Sequence, residues 1–243
     1  MTDTTIEITH ELATRGYALT PGPLTPDEAV DLASRLGTLI PQTTGELAYE
    51  IVALPGFGKS LDTHCPHILR PQTLRPHTEA PGLNPPPRYL AVHCRVQATC
   101  GGGRTMLADA HAFVAGLSRL AQRMVHERDM HWPSYAEDIE VTGAWKPVVE
   151  QTERGTITRM SCTLLRTGYY SEGLDAWTAR VNPPLGTDGV ALAQQVLDFF
   201  QDNHVSILIP EGAMVIWDNQ RMFHARSAFT DTRRRLTRYW ITD

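Results

Sequence analysis

The sequence has no apolar run approaching the ~20 residues that a membrane-spanning helix needs. Its opening residues, MTDTTIEITHELATRGY, contain neither the basic segment nor the apolar segment of a secretory signal. Cysteine is scarce: the four cysteines show no CxxC spacing and lie in a chain too long to depend on disulfides, so we expect reduced thiols. These absences predict a soluble, cytoplasmic protein with no membrane partner.

A basic excess is also missing, since 22 Lys and Arg stand against 27 Asp and Glu, a net charge of −5. A nucleic acid or another polyanion is therefore not an expected partner. The 243 residues are 42% hydrophobic and 20% charged, which is enough apolar material for a sizeable core. Because no repeat or linker divides the chain, we expect one domain over residues 1–243, and the sequence does not specify an oligomeric state.

Helix signals occur in four stretches. Thr25 as N-cap, Pro26 at the first helical position and Gly37 at the end predict a helix over TPDEAVDLASRLG. A helix is also expected in ITHELATRG. Hydrophobic residues at helical spacing predict one helix over DAHAFVAGLSRLAQRMVHERD and another over TDGVALAQQVLDFFQDNH.

Short strands are predicted for most of the remaining chain, including RYLAVHCRVQA, RTMLAD and residues 138–182. The last third reads HVSILIP, GAMVIWD, RMFHARSAF and RRLTRYWIT, four strands with no helix between them. This order favours a mainly β fold, a sandwich or barrel with flanking helices. A doubly wound αβα sheet is the weaker alternative, because it would need helices between those strands.

One histidine among ten, His77, is followed two positions later by an acid, Glu79. Chance alone predicts about one such pair if roughly a tenth of residues are acidic, so the pair is weak by itself. In extended backbone the side chains at i and i+2 point the same way, so the imidazole and the carboxylate could bind one metal ion.

His224 lies far downstream, after an Asp218-Asn219 turn in the segment GAMVIWDNQRMFHARSAF. As a third ligand it would complete two histidines and one carboxylate on one side of a metal, an arrangement typical of non-haem iron(II). On spacing alone, an ordinary buried or surface histidine is the commoner explanation.

Arginines follow this histidine. Arg234 and Arg238 are four apart and share one face of a predicted strand, and paired guanidiniums beside a metal favour a carboxylate ligand. Arg233 and Arg235 fall on the opposite face, where a basic edge strand that aids solubility explains them better.

Other motifs favour ordinary structural roles. The Gly101–Gly103 run lacks the lysine of a phosphate-binding loop and is expected to be a turn, and His64 and His67 have no partners placed to complete a tetrahedral site. No GxSxG motif accompanies Ser171, so a serine hydrolase is not expected. A further group could equally approach a substrate or pack on the sheet: Arg166, Tyr169, Tyr170 and Trp177.

Taken together, the motifs resemble the non-haem iron(II) and 2-oxoglutarate-dependent dioxygenases of the taurine dioxygenase and clavaminate synthase group. The resemblance rests on RGYALTPGPLTPDEAVDLASRLG, PHTEA, PPPRYLAVHC, GGGRTMLAD, WDNQRMFHARSAF and RRLTRYW, which extend over most of the chain. It implies a double-stranded β-helix (a jelly roll, cupin-like) and iron(II) ligands at His77, Glu79 and His224.

The same resemblance implies how 2-oxoglutarate binds. The family's co-substrate threonine is matched by Thr105, and the salt-bridge arginine after the distal histidine is matched by Arg234. Arg238 stands where relatives bind either the co-substrate or an acidic group of the substrate. The run of arginines leaves the register open by one residue, with Arg235 as the alternative.

A glutamate at position 79, where aspartate is commoner, is similar to the clavaminate synthase branch, whose members oxidise amino acids and their derivatives. Relatives that halogenate their substrates have a small residue here, so Glu79 favours hydroxylation, desaturation or ring formation. The implied reaction uses O2 and 2-oxoglutarate, releases succinate and CO2, and oxidises a C–H bond of a small, amino-acid-like substrate.

Two other functions remain open from the sequence. A cupin-like hydrolase or isomerase could use the same three ligands around zinc or manganese. A non-catalytic domain could bind a 2-oxo acid as a sensor. The paired arginines favour the oxygenase and the sensor over the hydrolase, and succinate formation with O2 uptake would separate those two.

Overall fold

The computed structural model describes residues 3–42, 45–52, 73–136, 139–170 and 182–243. Its helices, in chain order, are α1 (Asp3–Arg15), α2 (Pro26–Leu36), α3 (Ala110–Ala115), α4 (Arg119–Glu127), α5 (Cys162–Thr167) and α6 (Gly186–Asn203). Its strands are β1 (Tyr17–Leu19), β2 (Thr38–Ile40), β3 (Ala48–Val52), β4 (Leu74–His77), β5 (Tyr89–Val96), β6 (Thr105–Asp109), β7 (Met130–Ala136), β8 (Ile139–Lys146), β9 (Val149–Thr152), β10 (Gly155–Thr158), β11 (Val205–Ile207), β12 (Met214–Asp218), β13 (Met222–Arg226) and β14 (Arg235–Thr242).

Two antiparallel sheets carry the fold. The larger has the order β1-β12-β5-β14-β2, with β3 also paired to β14, and the smaller has the order β11-β6-β13-β4. The chain alternates between them, since β12 and β14 lie in the larger sheet and β13, between them, lies in the smaller. This is the jelly-roll arrangement expected from the sequence, and its antiparallel pairing excludes the doubly wound alternative.

Three apolar clusters separate the layers. The outer face of the larger sheet packs against α1 and α2, and the outer face of the smaller sheet packs against α5 and α6. The third cluster fills the space between the sheets, with Leu90, Leu107 and Trp217 among its members. In β14, Leu236 and Trp240 join this interior while Tyr239 and Ile241 face the helices, as strand alternation requires.

Several predicted elements are confirmed, and two are wrong in detail. Helix α2 begins after Thr25 with the full capping box and ends at Gly37. The single helix predicted over residues 109–129 is two helices, because Gly116 ends α3 and the Ser118 hydroxyl caps α4. Strand was predicted across residues 138–182, but α5 forms there, capped by the Ser161 hydroxyl.

Among the residues that the structure describes, no helix combines the length and the apolar character that crossing a bilayer requires.

Candidate functional site

Strand pairing brings the three predicted metal ligands together. β4 runs antiparallel to β13 with His224 opposite His77, and the two imidazole centroids are 4.1 Å apart. Glu79 follows just beyond β4, with its Oε2 atom 3.5 Å from His224 Nε2. One ligand atom from each residue lies within 4.8 Å of the other two. Sequence spacing alone favoured an ordinary structural role for His224, but the structure places it in a three-residue cluster with His77 and Glu79.

The segment carrying Glu79 is held by contacts with distant parts of the chain. The Thr78 backbone N–H donates to the Met160 carbonyl at 2.9 Å, and the Met160 N–H donates to the Thr78 hydroxyl at 2.9 Å. These two bonds join the end of β4 to the residues before α5. The turn at Glu79 therefore has little freedom to move the carboxylate.

Asn219 is the strongest of these supports. It is fully buried in the turn after β12, and its side-chain Oδ1 accepts the Glu79 backbone N–H at 2.7 Å. Its Nδ2 donates to the Glu79 carbonyl at 3.1 Å and to the Pro87 carbonyl at 3.0 Å. One side chain thus satisfies both backbone groups of Glu79.

The tautomer of His77 follows from its hydrogen bond. Its Nδ1 lies 2.8 Å from the Arg75 carbonyl oxygen, which only accepts, so Nδ1 carries the proton and Nε2 has the free lone pair. Burial, reinforced by the electrostatic effect of the neighbouring His224, lowers the pKa of His77 to about 3. The imidazole is therefore neutral at physiological pH, the form that binds metal.

Glu79 is held as a carboxylate by Arg238. Burial alone would raise the pKa of Glu79, but the Arg238 guanidinium and the two histidines outweigh it and lower the pKa to about 2. Arg238 Nη1 donates to Glu79 Oε1 at 2.8 Å, while its Nε donates to Gln42 Oε1 at 2.8 Å. Gln42 in turn donates to the Arg238 carbonyl at 2.8 Å. Oε1 thus faces the arginine and Oε2 faces the histidines.

This donor set fits a divalent transition metal. Two imidazoles and one carboxylate from one side of the cavity suit non-haem iron(II) and leave positions open for other ligands. The fit rests on the proximity of the donor atoms and on the protonation states set by Arg75 and Arg238.

The predicted co-substrate residues lie along the same interior. Thr105, at the start of β6, is 7% exposed, and Arg234, just before β14, is 4% exposed. The side chains of Arg233 and Arg235 are 70% and 57% exposed. As strand alternation predicted from the sequence, Arg234 is buried whereas Arg233 and Arg235 are exposed.

The glycine run forms the turn that shapes the pocket for Arg234. Arg234 Nη2 donates to the Gly103 carbonyl at 3.0 Å. A Cβ atom on Gly103 would lie 2.7 Å from Arg234 Nε, and the φ of +70° there favours glycine. A Cβ on Gly102 would collide with the Ala228 carbonyl oxygen. Close packing, and not phosphate binding, accounts for these two glycines.

Sequence reasoning missed three polar side chains of this interior: Asn219, Gln42 and Arg226. Arg226 had a signal, because it lies two residues after His224 and strand alternation places both on one face. Gln42 and Asn219 act on residues 196 and 140 positions away, and no local pattern marks such contacts.

Of the other sequence candidates, His64, His67, Ser171 and Trp177 lie outside the described residues. Tyr169 is 53% exposed, whereas the Tyr170 hydroxyl donates to the Pro133 carbonyl at 3.1 Å.

Solved structures share this fold. An asparagine oxygenase in complex with Fe(II), (2S,3S)-3-hydroxyasparagine and succinate matches with a TM-score of 0.73 and 16% identity, covering 98% of this chain and 78% of that one. The non-heme iron oxygenase OrfP, in complex with Fe and alpha-ketoglutaric acid, matches with a TM-score of 0.65 and 17% identity, covering 98% and 79%. PvcB, an Fe, alpha-ketoglutarate dependent oxygenase from an isonitrile synthetic pathway, matches with a TM-score of 0.65 and 18% identity, covering 98% and 79%.

A search of curated proteins finds no match. The family model described as "Taurine catabolism dioxygenase TauD, TfdA family" matches residues 2–240, nearly the whole chain. The sequence resemblance is thereby confirmed, and the chain belongs to the TauD/TfdA family of dioxygenases.

Proposed function

We propose that this protein is an iron(II)- and 2-oxoglutarate-dependent dioxygenase that oxidises a C–H bond of a small amino-acid-like substrate. Hydroxylation is the favoured outcome, with desaturation or ring formation as variants, and succinate and CO2 are released. The observation that carries this proposal is the cluster of His77, Glu79 and His224, whose ligand atoms lie within 4.8 Å of one another inside a TauD-family fold.

The three cluster residues are the proposed metal ligands. His77 presents Nε2 because its Nδ1 proton is held by Arg75, and Glu79 presents Oε2 because Arg238 holds Oε1. When bound there, iron(II) supplies the chemistry with O2 that amino-acid side chains lack, coupling oxidative decarboxylation of the 2-oxo acid to oxidation of the substrate.

Thr105 and Arg234 are the proposed ligands of the remote carboxylate of 2-oxoglutarate. Arg234 is buried, and within the described ranges no carboxylate forms an ion pair with it. A guanidinium in a low-dielectric interior binds a carboxylate through charge-assisted hydrogen bonds. Arg238 donates a hydrogen bond to Glu79 and therefore lies beside the cluster. We propose that it contacts either the co-substrate or an acidic group of the substrate.

An amino acid or amino-acid derivative is the proposed substrate class. The asparagine oxygenase is complexed with a hydroxyasparagine, and OrfP has been solved with (3S)-hydroxy-L-Arg. The glutamate at position 79 supports the same class through the resemblance to clavaminate synthase. We further infer a single domain over residues 1–243, in keeping with the extent of the family match. A cytoplasmic location stays a prediction from the sequence.

The test is anaerobic addition of iron(II) and 2-oxoglutarate to the purified protein. The expected result is the weak visible absorption band that iron(II) and a chelating 2-oxo acid give together. Admitting O2 with a panel of amino acids should then release succinate.

His224→Ala is the control variant, and it should give neither the band nor succinate while remaining folded. A wild-type protein that gives no band would contradict the proposal. A band without O2 uptake for any substrate would favour the 2-oxo acid sensor.

A further inference from the structure

The two candidate histidine ligands are held in place by different kinds of contact. His77 has a hydrogen bond between its Nδ1 atom and the Arg75 carbonyl oxygen, at 2.8 Å. The Nδ1 atom of His224 is buried, and among the residues that the structure describes it has no hydrogen-bond partner. A histidine that binds a metal through one ring nitrogen usually donates a hydrogen bond from the other, which fixes the orientation of the ring. The orientation of His224 therefore depends on another kind of contact.

That contact is aromatic. The imidazole centroid of His224 lies 5.0 Å from the centroid of the Trp217 ring, and the two planes are tilted by 49°. Tilted or offset rings with centroids about 4.5 to 7 Å apart are a favourable arrangement for aromatic pairs. His224 also contacts the ring of His77, which is itself a candidate ligand. Trp217 thus supplies an aromatic contact to His224 from outside the metal-ligand cluster.

The indole reaches His224 across the space between the two sheets. Trp217 lies in β12 of the larger sheet, and His224 lies in β13 of the smaller one. Phe223 and Ala225 belong to the cluster beneath α5 and α6, so strand alternation directs His224 to the opposite side. That side is the interior cluster, which contains Trp217.

Trp217 itself has little room to move. β12 lies between β1 and β5, and Trp217 is paired with Tyr17 on one side and with Leu90 on the other. Its side chain is packed in the interior cluster, and the residue is only 2% exposed. Its Nε1 atom is buried and makes no hydrogen bond within the described part of the chain, so packing alone holds the ring. The indole is therefore a fixed surface against which the imidazole rests.

We propose that Trp217 is a positioning residue of the metal site, whose ring fixes the orientation of the His224 imidazole so that Nε2 is directed at the metal. This inference rests on the proposed function, because it requires that His224 is a ligand. His224 Nε2 lies 3.5 Å from Glu79 Oε2, so the ring already directs this nitrogen towards another ligand. Asn219, two residues after Trp217, bonds to the backbone of Glu79. The end of β12 thus positions two of the three ligands.

Removal of the ring should lower metal affinity without removing a ligand. A His224 side chain that is free to turn presents Nε2 to the metal for only part of the time, and the apparent Kd rises by the inverse of that fraction. Loss of a partner that orients a metal-bound histidine weakens metal binding about 10- to 100-fold. Because Trp217 Nε1 makes no hydrogen bond, phenylalanine should replace the indole with little loss.

The test is anaerobic calorimetry of iron(II) binding to the metal-free protein, with no 2-oxo acid and no substrate present. Trp217→Met keeps a long apolar side chain but no ring, and it should weaken iron(II) binding about 10- to 100-fold. Trp217→Phe keeps a ring, and its affinity should stay within about threefold of the wild type. Urea unfolding of each variant measures the accompanying loss of stability.

Trp132→Met is the matched control. Trp132 is fully buried in the cluster beneath α5 and α6, and its Nε1 donates to the Lys146 carbonyl at 3.0 Å. Its replacement removes a hydrogen bond as well as a ring, so it should destabilise the protein at least as much as Trp217→Met does. Because Trp132 belongs to a different cluster from Trp217, its iron(II) affinity should equal that of the wild type.

The outcomes separate this inference from the proposed function. If Trp217→Met binds iron(II) as tightly as Trp132→Met does, the inference is overturned. Equal weakening in Trp217→Met and Trp217→Phe would assign the effect to lost volume and would also overturn it. If the methionine variant does not fold, Trp217→Phe decides: affinity within about threefold of the wild type supports the inference, and a loss of about tenfold or more overturns it. A wild-type protein that binds no iron(II) would contradict the proposed function itself.

Discussion

The buried amide of Asn219 ties the turn after β12 to the backbone of Glu79, and its removal is the most informative perturbation of the site. Asn219→Ala deletes three hydrogen bonds, to the Glu79 N–H, the Glu79 carbonyl and the Pro87 carbonyl. Alanine is smaller, so the variant adds no clash. The change therefore isolates the contribution of the side-chain amide.

The expected magnitude follows from the groups left unpaired. A buried polar group that loses its partner destabilises a protein by about 1 to 3 kcal/mol, and relaxation or an entering water recovers part of this. Three affected groups should together lower the free energy of unfolding by roughly 2 to 4 kcal/mol. Because Asn219 positions a proposed metal ligand, metal affinity should also fall about 10- to 100-fold.

Urea unfolding and anaerobic iron(II) calorimetry measure the two effects. Asn203→Ala is the control, since Asn203 is exposed at the end of α6 and donates one hydrogen bond, to the Phe199 carbonyl. It should change stability by less than about 0.5 kcal/mol and leave metal binding unchanged. If Asn219→Ala matched this control in stability, the assigned hydrogen bonds would be wrong. If it lost stability but kept full metal affinity, Asn219 would not position Glu79.

Two further predictions concern the glycine turn and acid pH. Gly103→Ala should displace the Arg234 guanidinium and weaken 2-oxoglutarate binding about tenfold or more, because its Cβ would lie 2.7 Å from Nε. Gly101 has a similar φ of +75°, but no atom lies within 4 Å of the Cβ that alanine would add there. Gly101→Ala should therefore lower the free energy of unfolding by about 1 to 2 kcal/mol through backbone strain. Calorimetry should find its affinity for 2-oxoglutarate unchanged. The metal-free protein should lose stability as pH falls from 6.5 towards 3, because the pKa of His77 is about 3 in the folded protein and 6.5 in the unfolded chain. In this range the free energy of unfolding should fall by up to about 1.4 kcal/mol per pH unit. Glu79, whose pKa falls from 4.5 to about 2 on folding, should add to this loss below pH 4.5. Urea midpoints across pH 4 to 7.5 for wild type and His77→Gln check this, and an equally steep decline in the variant would contradict it.

The sequence alone predicts features whose causes lie within a few residues. The α2 helix was recognised because Thr25, Pro26 and Gly37 act within one turn of its ends. The burial of Arg234 and the exposure of Arg235 were likewise readable, because strand alternation has a period of two. The order of strands was sufficient for a mainly β fold with flanking helices, and the family resemblance specified the jelly roll; the structure and the family match confirm both.

Local sequence patterns gave wrong predictions at two places, where a periodic hydrophobic pattern competes with caps and tertiary contacts. Helical spacing continues through Gly116, but the glycine and the Ser118 cap divide α3 from α4. The alternation around Cys162–Thr167 resembles a strand, yet burial beside α6 stabilises a helix there. In both places tertiary contacts and caps outweigh a weak periodic preference.

Only the tertiary structure decided how the site is held together. His77 and His224 are 147 positions apart, and the register of β4 against β13 sets their separation. The Arg238 contact to Glu79 and the Asn219 support depend on the same long-range registers. A strand pattern states which face a side chain occupies but not which residue lies opposite it. That choice is made by the packing of both sheets at once, because a shift of one residue in register would turn every inward side chain outward.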